Sequence, residues 1–333
     1  MTKQPETSSA KQSAKPLITA DEALAILQMK RPELLEQMQR ASRIRETYYK
    51  NEVAFCGILN GKSGNCPENC AFCAQSLHHQ TKAPKYPLMD KESIFKRAEE
   101  LKSMGARAFS IVNSGRRLED EAEIQTICNA IGRIRRELQM ECCASLGRCT
   151  KDVFKRLKEA GVCRYHHNLE TARSYFTNIV TSYRYDESIA TIKNAQEAGM
   201  KICCCGIFGL GETDEQIVEF IQTLKELAID GLPVNFLNPS EGTPLGNSPL
   251  LTIDKALAII VCLRLTMPDK DIIIAGGRSV ILQDAQYDIF QAGANAMMVG
   301  EYLTTFNSPW LEDLQAIEKQ GLVLRKADPA LID

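Results

Sequence analysis

Residues 53–75 read VAFCGILNGKSGNCPENCAFCAQ, in which an apolar run is followed at once by a loop that carries three cysteines. The run Val53–Leu59 is short, apolar and followed by Asn and Gly, as expected of a buried strand. Loops at the carboxyl ends of parallel strands carry the active sites of many α/β proteins. This stretch therefore predicts an α/β fold with a reactive loop after its first strand.

Outward from this stretch, short apolar runs alternate with helical patterns, and glycines mark several helix-to-strand turns. Eight such runs favour a parallel architecture and match the number of strands that closes a (β/α)8 TIM-type barrel. A doubly wound open sheet is the alternative, but polar residues fall on nearly every run, as the mouth of a barrel requires. The predicted strands are 53–59, 106–112, 140–146, 163–169, 201–210, 232–237, 271–275 and 295–299, with helices around 91–104, 119–138, 150–160, 185–198, 213–228, 252–266 and 284–292.

Four segments are expected along the chain. Residues 1–17 have the composition of a disordered tail, and residues 18–50 are expected to form N-terminal helices that extend the barrel. The first helix should begin at a capping box, Thr19 with Glu22, and continue past Pro32 in two pieces to about Tyr49. The barrel should occupy residues 51–320, and residues 321–333 are expected to be a C-terminal tail.

Composition narrows the class of protein. The chain has 333 residues, a hydrophobic fraction of 44% and a net charge of −2 with both signs interspersed, so it lacks the basic face expected of a nucleic-acid-binding protein. No apolar run approaches the roughly 18 residues of a membrane span. The N-terminus resembles neither a signal peptide nor a transit sequence. The count of 13 cysteines is odd, which argues against a disulfide framework and for thiol or metal chemistry in a cytoplasmic protein.

The loop cysteines have the spacing of a metal site. Gaps of three and two residues place Cys66, Cys70 and Cys73 on one compact loop, from which three thiolates can bind a four-iron cluster and leave one iron open to a small molecule. A structural zinc site is the alternative, with His78 or His79 as the fourth ligand.

The cysteine pattern, with Phe72 before the last cysteine, resembles the signature of the radical S-adenosylmethionine superfamily. Further segments resemble the biotin synthase family over residues 40 to 320: HNLET at 167–171, GIFGLGET at 206–213, NFLNPSEGTPL at 235–245 and AGGR at 275–278. The resemblance implies a [4Fe–4S] cluster, S-adenosyl-L-methionine as cofactor, and sulfur insertion into dethiobiotin. It also implies a homodimer and an electron donor such as flavodoxin or ferredoxin.

Two other functions remain open at this point. Another small radical enzyme on the same barrel, such as a hydrogenase maturase or a methylornithine-forming mutase, would share the cysteine loop. A non-enzymatic zinc or iron–sulfur module would need only the thiols. Inward-facing cysteines deeper in the barrel argue against the former, since those enzymes need no source of sulfur.

The resemblance also assigns contacts to the small molecules. It implies that Phe72, Asn168, Glu170 and Ile207 contact S-adenosylmethionine, and that Asn168 and Asn235 contact the substrate. Alternation along the fourth strand puts His166, Asn168 and Glu170 on one face. A carboxamide such as that of Asn235 suits a cyclic urea, since each offers a donor and an acceptor. The alternative for both asparagines is a polar residue that merely ends a strand.

A second, auxiliary iron–sulfur cluster is implied deep in the barrel, with two irons or more. The resemblance gives Cys143, Cys203 and Arg278 as ligands, but Ser110 stands where the family has a further cysteine. A period of two turns Cys205 to the same side as Cys203, so we expect Cys205 to restore the third thiolate. Alternatively, this site has lost its metal and Cys205 is a small core residue. The remaining cysteines read as outward-facing (Cys142, Cys204), as packing residues (Cys56, Cys128, Cys163, Cys262) or as ambiguous (Cys149).

Overall fold

The computed structural model describes residues 14–304 and 308–332, and its centre is a closed barrel of eight parallel strands. The barrel order is β1-β2-β3-β4-β5-β7-β8-β9, and β9 pairs back onto β1. Each predicted apolar run contains one barrel strand, so the TIM-type barrel is confirmed and the open sheet is excluded. The strands are β1 (Glu52–Lys62), β2 (Ala106–Asn113), β3 (Glu141–Ser145), β4 (Val162–His166), β5 (Lys201–Cys203), β6 (Ile207–Phe208), β7 (Gly231–Phe236), β8 (Asp271–Ile274), β9 (Ala296–Val299) and β10 (Val323–Leu324).

The fifth predicted run, 201–210, differs from the rest because it is split between β5 and β6. The break falls at Gly206, which pairs with Glu170 as an isolated bridge. A Cβ at Gly206 would lie 2.1 Å from the Glu170 carbonyl oxygen, so only glycine permits this approach. The chain therefore leaves the barrel sheet after Cys203, which pairs with Gly231 of β7. It pairs with β7 again at Ile207, opposite Asn235, nearer the mouth of the barrel.

Helices cover the outside of the barrel. Six of the seven predicted barrel helices are confirmed, and the prediction of a helix at 284–292 is wrong. A short helix begins earlier, after Gly277. Beyond it, the backbone hydrogen bonds mainly close single turns, such as the bond from Asp288 N–H to Ala285 O. The helices are α1 (Ala20–Gln28), α2 (Arg31–Tyr49), α3 (Lys91–Ser103), α4 (Glu121–Leu138), α5 (Lys151–Ala160), α6 (Tyr185–Glu197), α7 (Asp214–Glu226), α8 (Ile253–Thr266), α9 (Arg278–Leu282), α10 (Trp310–Lys319) and α11 (Pro329–Ile332).

The first and last described segments of the chain both pack on the barrel. The predicted capping box opens α1, where Thr19 and Glu22 exchange hydrogen bonds, and α2 lies against α8. Part of the expected C-terminal tail instead forms β10, which pairs in parallel with the start of β1. Residues 1–13 of the expected N-terminal tail lie outside the described residues. Within the described ranges, no helix has the length and apolarity needed to cross a membrane.

The barrel interior is lined mainly by small side chains, whereas the larger core lies between strands and helices. Inward positions recur every second residue along each strand, as the pleat requires. Because the interior side chains are small, two connected spaces remain inside the barrel, one at its mouth and one deeper. The interior cluster comprises Ala54, Cys56, Ile58, Ala108, Cys143, Ile273, Ala275, Ala296 and Met298.

Candidate active site

The cysteine loop is folded back on itself by backbone hydrogen bonds. Cys66 N–H donates to Gln75 O at 3.0 Å, and Cys73 N–H donates to Cys70 O at 2.9 Å. Asn65 takes a left-handed conformation with φ of 53°, which turns the chain into the loop. All three cysteines are half-buried free thiols.

Two side chains of the same loop fix it to its surroundings. Asn69 Oδ1 accepts the backbone N–H groups of Thr181 and Ser182, each at 3.0 Å. Glu68 Oε1 accepts Arg116 Nε at 2.8 Å and the guanidinium of Arg148. The thiols are thus presented by an irregular segment that polar contacts hold in one conformation.

Burial makes two of these thiols, Cys70 and Cys73, reluctant to ionise in the absence of metal. It raises the pKa of Cys70 well above its ordinary value and that of Cys73 to about 11, with the neighbouring cysteines adding to the rise. Thiolates are the form that binds iron, and the positive charge of the metal offsets the cost of ionising them together.

A cavity of about 330 Å³ lies at the barrel mouth, and we call it the upper cavity. It brings together all five residues expected at S-adenosylmethionine and the substrate. Cys66, Cys73 and Tyr183 line the same cavity. The expected residues that line it are Phe72, Asn168, Glu170, Ile207 and Asn235.

A polar chain runs along the end of β4 into this cavity. His166 Nε2 lies 2.8 Å from Asn168 Oδ1, and Asn168 Nδ2 donates to Glu170 Oε2 at 3.4 Å. The N–H of Cys205 also donates to Asn168 Oδ1, at 3.2 Å, and the N–H of Ile207 donates to Glu170 O at 2.8 Å. The expected common face of His166, Asn168 and Glu170 is therefore confirmed, although the strand itself ends at His166.

Burial shifts the pKa values of two side chains in the upper cavity, and hydrogen bonds do not fully offset these shifts. Burial raises the pKa of Glu170 to about 7, and the hydrogen bond from Asn168 offsets only part of the rise. Burial likewise lowers the pKa of His167 to about 3, and His167 Nε2 has no hydrogen-bond partner among the described residues. A buried acceptor and an unpartnered ring nitrogen in one cavity fit a polar ligand that carries hydroxyl groups.

Asn235 is held by four protein groups. Its Nδ2 donates to Gly206 O and Pro233 O, each at 3.1 Å. Its Oδ1 accepts Gly276 N–H at 2.9 Å and the Tyr302 hydroxyl at 2.6 Å. Of these partners only Tyr302 is a side chain that can move, so a ligand reaching this carboxamide would displace the phenol.

Below the upper cavity lies a smaller space of about 40 Å³, the lower cavity. On the usual measure it has room for about three water-sized groups, at roughly 10–15 Å³ each. Cys143 and Cys203 line it as expected, and so does Cys56, which we expected to be a packing residue. His166 and Met298 line both cavities, so the two spaces adjoin.

A network of ion pairs closes the floor of the lower cavity. Asp271 Oδ2 accepts a hydrogen bond from Arg107 at 3.3 Å and lies 3.3 Å from Arg164 Nη2, and its Oδ1 accepts a hydrogen bond from Arg325 at 2.9 Å. Glu141 lies 3.5 Å from Arg107. Burial alone would raise the pKa of Asp271, but the three arginines outweigh it and hold that pKa well below its usual range.

The structure does not bring two of the expected auxiliary ligands to the lower cavity. Arg278 is fully buried outside it, where Nη2 lies 3.0 Å from both carboxylate oxygens of Asp313. The reason is that Arg278 opens α9 instead of ending a strand. Cys205 lies past the end of β5 and packs in the main core, separate from the interior cluster.

Sequence reasoning missed both arginines that line the cavity, Arg107 and Arg164, and one of its thiols. Arg164 lies beside Cys203, whose pKa is raised by burial to about 11, and this arginine opposes the rise. The inward parity of β1, which places Ala54, Cys56 and Ile58 on one face, was the signal available for Cys56.

The contacts of the two histidines do not favour a zinc site. His78 Nε2 lies 3.1 Å from Pro67 O, and His79 Nε2 lies 3.0 Å from Cys70 O, so both rings are engaged by backbone carbonyls. In the part of the chain that the structure describes, no three Cys, His, Asp or Glu side chains converge on a point that one ion could occupy. A cluster needs no such convergence, because each of its irons takes a separate thiolate.

Comparison with known proteins gives two family matches and close relatives. Residues 62–224 match the radical SAM superfamily, and residues 233–323 match the biotin and thiamin synthesis associated domain. A biotin synthase of Nitratidesulfovibrio vulgaris (strain DP4) is 47% identical over 92% of this chain and 84% of its own length. A biotin synthase of Geobacter sulfurreducens is 46% identical over 92% of this chain and 94% of its own.

Solved structures agree with the fold. A methylornithine synthase superimposes with a TM-score of 0.78 at 19% identity, covering 94% of this chain and 95% of that one. A maturase of the FeFe-hydrogenase from Carboxydothermus hydrogenoformans gives a TM-score of 0.77 at 18% identity, covering 92% and 76%. At such identities the likeness concerns the barrel alone.

Proposed function

The chain belongs to the biotin synthase family, and from that premise we propose that Cys66, Cys70 and Cys73 hold a [4Fe–4S] cluster facing the upper cavity. The protein is accordingly a radical S-adenosylmethionine enzyme that converts dethiobiotin to biotin by inserting sulfur. The observation that carries the site assignment is that the thiol loop lines the same cavity as Asn168 and Glu170.

When bound, the cluster and S-adenosylmethionine supply a 5′-deoxyadenosyl radical, which can break a carbon–hydrogen bond that no acid or base could open. The residues of the chain bind and orient. Glu170 accepts hydrogen bonds from the ribose hydroxyls, with Asn168 holding its carboxylate. Phe72 and Ile207 cover the nucleoside, and the enclosing barrel keeps other hydrogen donors away from the radical.

The substrate is dethiobiotin, and we propose that its cyclic urea binds Asn168 and Asn235. Both carboxamides line the upper cavity. Each offers a donor and an acceptor, which matches the N–H and carbonyl groups of a urea. The Asn235 carboxamide would exchange its bond to the Tyr302 hydroxyl for one to the substrate.

An auxiliary iron–sulfur cluster in the lower cavity is part of the proposal, with Cys143 and Cys203 as ligands. Arg278 and Cys205 are left out of this set because of where their side chains lie. The unpartnered Ser110 Oγ at this cavity fits a group that the chain alone does not provide.

Three further features rest on the family resemblance. We propose a homodimer, an electron donor such as flavodoxin or ferredoxin, and a cytoplasmic location. Support for the location is the odd count of thirteen cysteines, which argues against the disulfide framework of a secreted protein.

The test is product formation by anaerobically reconstituted protein. With S-adenosylmethionine and a reductant, dethiobiotin should give biotin together with 5′-deoxyadenosine. Replacing Cys66, Cys70 and Cys73 by alanine should abolish both products and remove the iron of this cluster. Cys128→Ala, a half-buried thiol of α4 outside both cavities, is the matched control and should retain activity. Formation of 5′-deoxyadenosine without any biotin would overturn the proposed reaction.

A further inference from the structure

We propose that Cys56 of β1 is the third thiolate of the auxiliary cluster, together with Cys143 of β3 and Cys203 of β5. The inference deepens the proposed function and rests on it. It replaces Cys205, which sequence alternation alone had suggested.

The first argument is position. Cys56, Cys143 and Cys203 are the thiols that line the lower cavity within residues 14–304 and 308–332. All three lie on barrel strands, and each is less than one tenth exposed, at 9%, 9% and 8%. Rigid strands hold their side chains more closely than a loop does, which suits a site deep in a barrel.

The second argument is how far the ligand moves. The resemblance places the missing cysteine at Ser110 of β2, and β2 is hydrogen-bonded to β1 along its length. Ser110 is in register with Ile58, the next inward residue of β1 after Cys56. A thiol at Cys56 is therefore displaced by one strand, whereas a thiol on β5 would lie across the barrel from Ser110.

The third argument is that the cavity contains polar groups without partners. Ser110 Oγ and Arg107 Nε are buried and have no hydrogen-bond partner among the described residues. Both residues line the lower cavity and are 6% and 8% exposed. Buried polar atoms are normally satisfied, so two orphans around one space indicate a group that occupies it.

The fourth argument is charge. On the floor, Arg107, Arg164 and Arg325 face the two carboxylates of Glu141 and Asp271, which leaves one positive charge in excess. Three thiolates around irons and sulfides would bring negative charge to the same place. The floor is thus suited to an anionic cluster, and its arginine nearest to Cys203 is Arg164.

The test separates this site from the loop cluster by removing the latter. In the full-length chain carrying Cys66→Ala, Cys70→Ala and Cys73→Ala, any iron and sulfide taken up on reconstitution report the auxiliary site. Adding Cys56→Ser should reduce that iron and sulfide to the background of an unreconstituted sample. It should also remove the visible absorption and the Mössbauer signal of the cluster.

Two matched variants make the result specific. Cys142→Ser alters the neighbour of Cys143 that faces away from the barrel, and Cys205→Ser alters the thiol that the sequence suggested; both should retain the auxiliary iron. Retention of iron by Cys56→Ser, or its loss in Cys205→Ser with Cys56→Ser unaffected, would overturn the inference. Absence of iron from the starting triple variant would also overturn it, but would leave the proposed reaction to its own product assay.

Discussion

The two cavities of this barrel hold their thiols in opposite ways. The upper cavity takes its cysteines from one loop of eight residues, half-buried and held by side-chain contacts such as those of Asn69. The lower cavity takes them from three strands far apart in the sequence, all of them buried. The difference teaches that a local ligand set is visible as spacing, whereas a distributed set appears only once the strands are in register.

The same two regions treat buried carboxylates differently. Among the described residues, no arginine or lysine bonds to Glu170 in the upper cavity, and its pKa rises to about 7 because of burial. Asp271 below the lower cavity is surrounded by three arginines, which hold its pKa well below its usual range despite burial. The Glu170 carboxylate is therefore available to bind a ligand, whereas the Asp271 carboxylate stabilises the fold.

The largest effect expected from this contrast follows loss of the Asp271 charge. Asp271→Asn leaves three arginines with one carboxylate inside the floor, and an uncompensated buried charge costs about 3–5 kcal/mol. We expect the free energy of unfolding, measured by urea denaturation of the iron-free protein, to fall by that amount. Glu241→Gln is the control, because Glu241 pairs with Lys82 on the surface at 88% and 94% exposure. That exposed pair should contribute at most about 1 kcal/mol. Equal effects of the two variants would contradict the idea that Asp271 stabilises the fold by neutralising the buried arginines.

A smaller, pH-dependent effect is expected at Glu170. The folded-state pKa, about 7, lies above the ordinary value of 4.5, so keeping this carboxyl buried costs more as pH rises between those values. From pH 5.5 to 8.5 this cost should grow by about 2 kcal/mol. Glu170→Gln has no such cost, and its stability relative to the wild type should rise by that amount over this range.

The measurement is urea unfolding of both proteins at the two pH values, with Glu241→Gln as the exposed control. Binding of S-adenosylmethionine should weaken in Glu170→Gln at pH 8.5, because a carboxamide accepts fewer hydrogen bonds than a carboxylate. A stability difference that does not change with pH would mean that Glu170 is not the buried, uncompensated acid described above.

The contrast also explains what sequence reasoning could and could not predict. The eight strands followed from apolar runs and glycine turns, and the loop site from three cysteines at fixed spacing, since both patterns are local. Arg278 was misplaced because its backbone starts a helix after Gly277, which residue order does not reveal. Cys205 was assigned to the interior because strict alternation was carried past Cys203, where β5 in fact ends. Alternation with Ala54 and Ile58 could have placed Cys56 on the inward face of β1, but only closure of β1 against β2 and β9 brings that face to the cavity.

The smallest effect, and the one that addresses the lower cavity most directly, concerns Ser110. Its buried hydroxyl has no hydrogen-bond partner among the described residues, and neither has the hydroxyl of Ser188 on α6, which lines neither cavity. An unsatisfied buried polar group is costly, so Ser110→Ala and Ser188→Ala should each stabilise the iron-free protein by up to about 1 kcal/mol. After reconstitution only Ser188→Ala should keep its gain, because the cluster gives the Ser110 hydroxyl a partner. Thermal unfolding of both variants with and without iron measures this, and identical behaviour in the two states would argue that nothing occupies the lower cavity.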